Sequence, residues 1–92
     1  MQYTVVHSTD PYLLARLATD LQMEGLKSDM PWNVTMNCFV EKSNMWLAIN
    51  HPENKRKNLL TFFNHPCICQ PDMRLSLTEA NYIKVLTQIL QP

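Results

Sequence analysis

Glycine is almost absent from this chain of 92 residues, in which Gly25 is the only one. Loops that cradle phosphate groups need several glycines, because the backbone itself must approach the ligand closely. The composition therefore argues against Walker-type nucleotide binding and against dinucleotide binding. It leaves one position, Gly25, where the backbone can take a left-handed turn without strain.

An excess of either charge is also missing. Eight basic residues balance eight acidic ones, so the formal net charge is zero. Proteins dedicated to nucleic-acid binding usually carry a basic excess, and this chain lacks one. A neutral chain also lacks the electrostatic repulsion that keeps copies apart, so self-association stays open.

Long apolar runs are lacking as well. The first residues, MQYTVVHS, contain neither the basic nor the apolar segment of a signal peptide. No run approaches the ~18 apolar residues that span a bilayer. The three cysteines are an odd number, which fits reduced thiols better than a disulfide framework. We therefore expect a cytoplasmic protein that makes no contact with a membrane.

The chain nevertheless has enough apolar residues, 46% of the total, for one core in a single domain over residues 1–92. Its β-branched and aromatic start predicts a strand over Gln2–His7. A helix is predicted to begin at Pro11 with Asp10 as its cap, because proline suits the first helical position. Leucines at helical spacing follow, and Gly25 is expected to end the helix.

The rest of the chain predicts three strands and a second helix. Residues Asn33–Glu41 alternate between apolar and polar, and the runs Met45–Asn50 and Leu59–Phe63 follow after short polar segments, which indicates an antiparallel meander. A capping box from Ser76 to Glu79 precedes an amphipathic helix with the apolar residues Tyr82, Ile83, Leu86, Ile89 and Leu90. The predicted fold is a two-layer α+β sandwich of order β-α-β-β-β-α. Its sheet is mainly antiparallel, with both helices on one face and the first strand beside the third or fourth.

The tripeptide Asn-His-Pro occurs twice, at residues 50–52 and 64–66. Asparagine and proline favour turns, and each tripeptide follows an apolar run. The simplest interpretation is that both mark strand ends. If these two strands are antiparallel, His51 and His65 lie at opposite ends of the hairpin.

A zinc site is the alternative interpretation, with His65, Cys67 and Cys69 as the candidate ligands and His51 and Cys38 as further donors. In an extended Cys-x-Cys segment the two side chains lie about 7 Å apart. Two thiolates on one zinc ion lie within about 4 Å of each other, so the segment would have to be kinked. We therefore expect no cofactor and keep zinc as an alternative.

The residues that would make an enzyme do not appear in a recognisable arrangement. The carboxylates are scattered singly. The composition permits a catalytic cysteine–histidine pair with a third group to orient it, but nothing in the order of residues selects one. We therefore expect a protein that is not an enzyme and that acts by binding.

Two features favour binding of another macromolecule. Phe39 and Trp46 are expected on the sheet face opposite the apolar stripe, and exposed aromatic residues near methionine are typical of protein-binding surfaces. The segment 53–58 adds the basic residues Lys55, Arg56 and Lys57. The alternative is that the first strand or a second copy of the chain buries the aromatic residues.

In general type, such a chain resembles the accessory and inhibitor proteins of phages and other mobile elements. We expect it to dock on a host protein and to inhibit or adapt that protein. The alternative is nucleic-acid binding through the basic segment, with Trp46 available for stacking. The order of elements in residues 11 to 90 resembles the double-stranded RNA-binding domain. That family has a lysine-rich start to its last helix, whereas residues 75–79 are apolar and acidic here.

Overall fold

The computed structural model describes residues 2–28, 46–51, 59–63 and 73–91. Within them the elements follow the chain in the order β1 (Gln2–His7), α1 (Pro11–Met23), β2 (Lys27–Ser28), β3 (Trp46–His51), β4 (Leu59–Phe63), β5 (Met73–Ser76) and α2 (Tyr82–Leu90). This is a small α+β fold. The strand predicted over Asn33–Glu41 lies outside the described residues.

The described strands form one sheet in the order β2-β4-β3-β1-β5. β3 pairs antiparallel with both β1 and β4, whereas β5 runs parallel to β1 and β2 runs parallel to β4. The sheet is therefore mixed. The predicted antiparallel pairing is found among the three central strands β4, β3 and β1, whereas both outer strands of the described sheet pair in parallel. The first strand lies beside the third of the predicted strands, in agreement with the sequence analysis.

Helix α1 begins and ends as its sequence predicts. The Asp10 carboxylate accepts a hydrogen bond from the N–H of Tyr12 at 2.9 Å, and Pro11 occupies the first helical position. At the other end, Gly25 has a φ of 104°. This lets the N–H of Leu26 donate to the carbonyl of Leu21, while the N–H of Gly25 donates to Gln22, each at 3.1 Å. The two bonds satisfy carbonyls that the end of the helix would otherwise leave unpaired.

One hydrophobic cluster joins the two helices to the sheet. In register, Val6 of β1 lies opposite Leu47 of β3, and Thr4 lies opposite Ile49. Against this side of the sheet pack the buried residues of α1 and α2, among them Leu13, Leu14, Leu17, Ala18, Leu21, Tyr82, Val85 and Ile89. The leucine stripe predicted for α1 is thus buried, and the non-polar area that it removes from water is a main source of stability.

The N-cap of α2 is Asn81, five residues after the predicted Ser76, and the helix begins at Tyr82. The reciprocal hydrogen-bonded pair lies two residues later than predicted. Instead of Ser76 and Glu79, Thr78 and Asn81 form the reciprocal pair. The N–H of Asn81 donates to Thr78 Oγ1 at 3.2 Å, and the N–H of Thr78 donates to Asn81 Oδ1 at 2.7 Å. Ser76 cannot cap the helix because it is the last residue of β5. An asparagine amide three residues after a threonine can make the same pair of bonds as the glutamate of a capping box.

The buried side of α2 also differs in part from its prediction. Tyr82 and Ile89 are buried as expected, but Val85 lies in the core, and Ile83 and Leu90, which were predicted there, are 66% and 36% exposed. A helical turn of 3.6 residues places Val85 between Tyr82 and Ile89 on the same side. The side of α2 with Tyr82, Val85 and Ile89 packs on the hydrophobic cluster, and Ile83 points away from the cluster.

Replacing Gly25 by alanine is expected to lower the free energy of unfolding by about 1–2 kcal/mol, since a Cβ atom is unfavourable at positive φ. Urea denaturation followed by circular dichroism measures the loss. Gly25→Asn should cost less, because asparagine tolerates the left-handed region.

Met23→Ala is the matched control, since Met23 lies in the last turn of the same helix and is 81% exposed. Equal unfolding midpoints for Gly25→Ala and Met23→Ala would contradict the assignment of Gly25 as the residue that ends α1.

Candidate functional site

Trp46 is the predicted binding residue that the structure describes. It begins β3 and is partly buried. Its indole lies against the imidazole of His7, the last residue of β1, with the ring centroids 4.3 Å apart and the planes inclined by 35°. Neighbouring strands on both sides hold this part of β3, since β3 pairs with β1 and with β4. The orientation of the indole is therefore fixed by the sheet and by His7.

The alternation of side chains along a strand places Trp46 on the face of the sheet that the helices do not cover. Ala48 shares this face with Trp46, and Val5 shares it with His7. Val5 and Ala48 are 1% and 0% exposed and do not belong to the cluster beneath the helices. The centre of this face is therefore shielded from solvent. The predicted open face is therefore not found at Val5 and Ala48, and Trp46 beside them is partly buried.

The other predicted binding residues, Phe39, Lys55, Arg56 and Lys57, lie outside the described residues. The ends of the adjoining strands are described, however. The segment with the three basic residues follows His51 and precedes Leu59, and residue 50 pairs with Leu59. Trp46 lies at the opposite end of β3, five residues or about 17 Å away along the strand. The described residues that flank the basic segment in sequence, His51 and Leu59, therefore lie at the end of the β3–β4 ladder that is remote from Trp46.

The two Asn-His-Pro tripeptides follow opposite ends of the β3–β4 ladder. β3 ends at His51, one residue later than the predicted Asn50, so the first tripeptide overlaps its end. β4 ends at Phe63, which pairs with Trp46 at the other end of the ladder. The antiparallel pairing supports the interpretation that the repeat marks strand ends.

Zinc on His65, Cys67 and Cys69 stays a prediction, because these residues lie outside the described ranges. Among the residues that the structure does describe, no three histidine, cysteine, aspartate or glutamate side chains are grouped as metal ligands.

A polar cluster that the sequence analysis did not predict connects the two helices. The hydroxyl of Tyr82 in α2 donates to Asp20 Oδ2 in α1 at 2.5 Å. The guanidinium of Arg16 lies over the Tyr82 ring, 4.2 Å from its centroid, and its Nη1 atom is 3.7 Å from Glu79 Oε1. Arg16 and Asp20 are one turn apart on α1, so a single stripe of that helix holds both partners of Tyr82.

The electrostatics of this cluster keep Tyr82 protonated. Burial raises the pKa of its phenol above the usual range, and the hydrogen bond to the Asp20 carboxylate raises it further, while Arg16 acts in the opposite direction. A phenol with a raised pKa donates a hydrogen bond and is a poor proton acceptor near neutral pH. We interpret the cluster as a structural connection between α1 and α2, without a role in proton transfer.

The comparisons give no relative from which a function can be inferred. No protein-family model, curated protein or solved structure matches the chain. In the described ranges, neither helix has the length and hydropathy required to span a bilayer.

Replacing Tyr82 by phenylalanine is expected to lower the free energy of unfolding by about 1–2 kcal/mol, because the variant loses a hydrogen bond to a charged group. Urea denaturation of both proteins at pH 7 measures the difference. Tyr12→Phe is the matched control, since Tyr12 is 65% exposed on α1.

The raised pKa of Tyr82 predicts how this difference changes with pH. Above the usual tyrosine pKa of about 10, the unfolded chain loses the phenol proton while the folded protein keeps it, so the wild type loses stability as the pH rises. The difference between wild type and Tyr82→Phe should therefore shrink above about pH 10. If the stability difference between wild type and Tyr82→Phe stayed constant from pH 8 to well above about pH 10, this would contradict the burial of the phenol.

Proposed function

We propose that this protein is a non-enzymatic protein-binding module of the accessory type found in phages and mobile elements. In this proposal it docks on a host protein in the cytoplasm and inhibits or adapts it. The observation that supports the proposal most directly is the placement of Trp46, whose partly buried indole lies 4.3 Å from the His7 ring at the end of the sheet.

Tryptophan is the residue most enriched at the energetic centres of protein interfaces, because it buries a large area in one rigid unit. Binding costs less conformational entropy when such a side chain is already held in place. Trp46 fits this description, since strand pairing fixes its backbone and His7 supports its ring. Because Trp46 is only partly buried, part of its side chain stays open to a partner.

Phe39 and the basic residues Lys55, Arg56 and Lys57 complete the proposed contact residues. The basic segment adjoins the end of β3 remote from Trp46, so we assign it a separate role. Three cations close together accelerate the encounter with an acidic partner surface and lose this effect at high salt. Trp46 then supplies the affinity and the basic segment the association rate.

Replacing Trp46 by alanine is expected to weaken capture of the host protein at least tenfold, which is the typical loss when a central tryptophan is truncated. The tagged wild type and variant are incubated with a bacterial lysate, with and without nuclease, and the captured proteins are quantified by mass spectrometry. Trp46→Phe should retain part of the binding. Ile83→Ser is the matched control, because Ile83 is 66% exposed on α2.

Thermal unfolding of each variant separates binding from stability. A large drop in the melting temperature of Trp46→Ala, with Trp46→Phe binding like the wild type, would show that Trp46 is a core residue. Capture that disappears after nuclease treatment would replace the proposal by nucleic-acid binding, which uses the same basic segment and is salt-dependent.

A further inference from the structure

β5 is the last strand on its side of the sheet, and within the described residues it pairs with β1 alone. The N–H of Leu77, just after β5, donates to the carbonyl of His7 in β1 at 2.7 Å. Along a strand the N–H and C=O groups of successive residues point to alternate sides. Leu75 therefore faces β1 like Leu77, and the backbone groups of Arg74 and Ser76 point away from the sheet.

One of these outward groups is already bonded. The Ser76 carbonyl accepts a hydrogen bond from Asn81 Nδ2 at 2.7 Å. The remaining outward groups are the N–H and C=O of Arg74 and the N–H of Ser76. These three groups can pair with one extended segment that runs antiparallel to β5. The central residue of that segment would exchange two hydrogen bonds with Arg74, and the Ser76 N–H would donate to a carbonyl of the same segment.

The charged side chains within β5 and α2 are both basic, Arg74 and Lys84. Arg74 is exposed, and its side chain lies on the sheet face opposite the helices because it pairs with Val5. On the helical side, Gln88 Nε2 of α2 contacts Met73 Sδ of β5 at 3.2 Å. Lys84, one turn before Gln88, lies on the same side of α2 and is exposed.

Neither β5 nor α2 contains a carboxylate. The ion pair found among the described residues joins Arg16 to Glu79 and includes neither Arg74 nor Lys84. The edge is therefore complementary to an acidic segment.

A second copy of this chain does not fit the same edge well. Two-fold pairing centred on Arg74 would place two arginines directly opposite each other, which is unfavourable for like charges. A shift that pairs Arg74 with Ser76 of the second copy would need the Ser76 carbonyl, which Asn81 occupies.

We propose that the β5 edge binds an extended acidic segment of a partner protein as an added antiparallel strand. The segment pairs its backbone with Arg74 and Ser76 and places a carboxylate beside the Arg74 guanidinium. This mode of recognition takes its affinity from main-chain hydrogen bonds and its selectivity from charge. It goes beyond the proposed function, since it requires neither Trp46 nor the basic segment.

The test is a titration of the 15N-labelled full chain with the peptide acetyl-Thr-Val-Glu-Val-Thr-amide, followed by amide chemical shifts. The amides of Arg74 and Ser76 should shift most, because they point to the peptide. The same peptide N-methylated at its glutamate should not bind, since it lacks the N–H that pairs with the Arg74 carbonyl.

Arg74→Glu should bind the glutamate peptide about fivefold more weakly, as expected for the loss of an exposed ion pair. It should bind the lysine analogue of the peptide more tightly than the wild type does. Lys27→Glu is the matched control, because Lys27 is an exposed cation on β2 at the other edge of the sheet and should leave binding unchanged. Trp46→Ala should also leave peptide binding unchanged, so failure here is distinguishable from failure of the proposed function.

Several results would overturn the proposal. Equal binding of the N-methylated peptide would exclude backbone pairing at β5. Equal weakening by Lys27→Glu would exclude a charge contact that is specific to Arg74. A sedimentation experiment that finds a dimer, which Arg74→Pro dissociates, would assign the edge to a second copy. Preferential shifts of the same amides by a single-stranded oligonucleotide would assign it to nucleic acid.

Discussion

The pairing of β1 with β3 is the contact on which the rest of this structure depends. β1 carries β5 on its other side, so the edge of the sheet exists only while β1 is in place. Val6 contributes to the cluster under the helices, and Val5 is buried on the opposite face. His7, at the end of the same strand, supports the ring of Trp46. A six-residue segment thus links the core to both surfaces for which we propose a binding role.

Local sequence signals predicted those elements whose determinants lie within a few residues. Asp10 and Pro11 mark the start of α1 and Gly25 marks its end, because a cap, a fixed φ and a positive φ are properties of single residues. β5 was not predicted, because it is short and pairs with a strand that is distant in sequence. Its parallel partner is β1, and paired residues such as Thr4 and Met73 are 69 positions apart. β2 has two residues and depends on β4 in the same way.

The candidate binding surfaces likewise combine features that are visible in the local sequence with features that depend on contacts between distant residues. The aromatic character of Trp46 is visible in the sequence, but its support by His7 depends on the β1–β3 register. The bond between Tyr82 and Asp20 joins residues 62 positions apart, and no local pattern indicates it. Prediction from the sequence therefore selected candidate residues by their side-chain chemistry, while the fold determined which neighbour each described residue has.

Asn81 has a consequence for the solubility of this protein. Its side-chain oxygen accepts from Thr78 before α2, and its side-chain nitrogen covers the last outward carbonyl of β5. An uncovered edge strand is a template on which further chains add and aggregates grow. The Asn81 side chain thus contributes both to the start of α2 and to the covering of β5. Fraying at the start of α2 therefore also uncovers the Ser76 carbonyl and lengthens the edge that is exposed to aggregation.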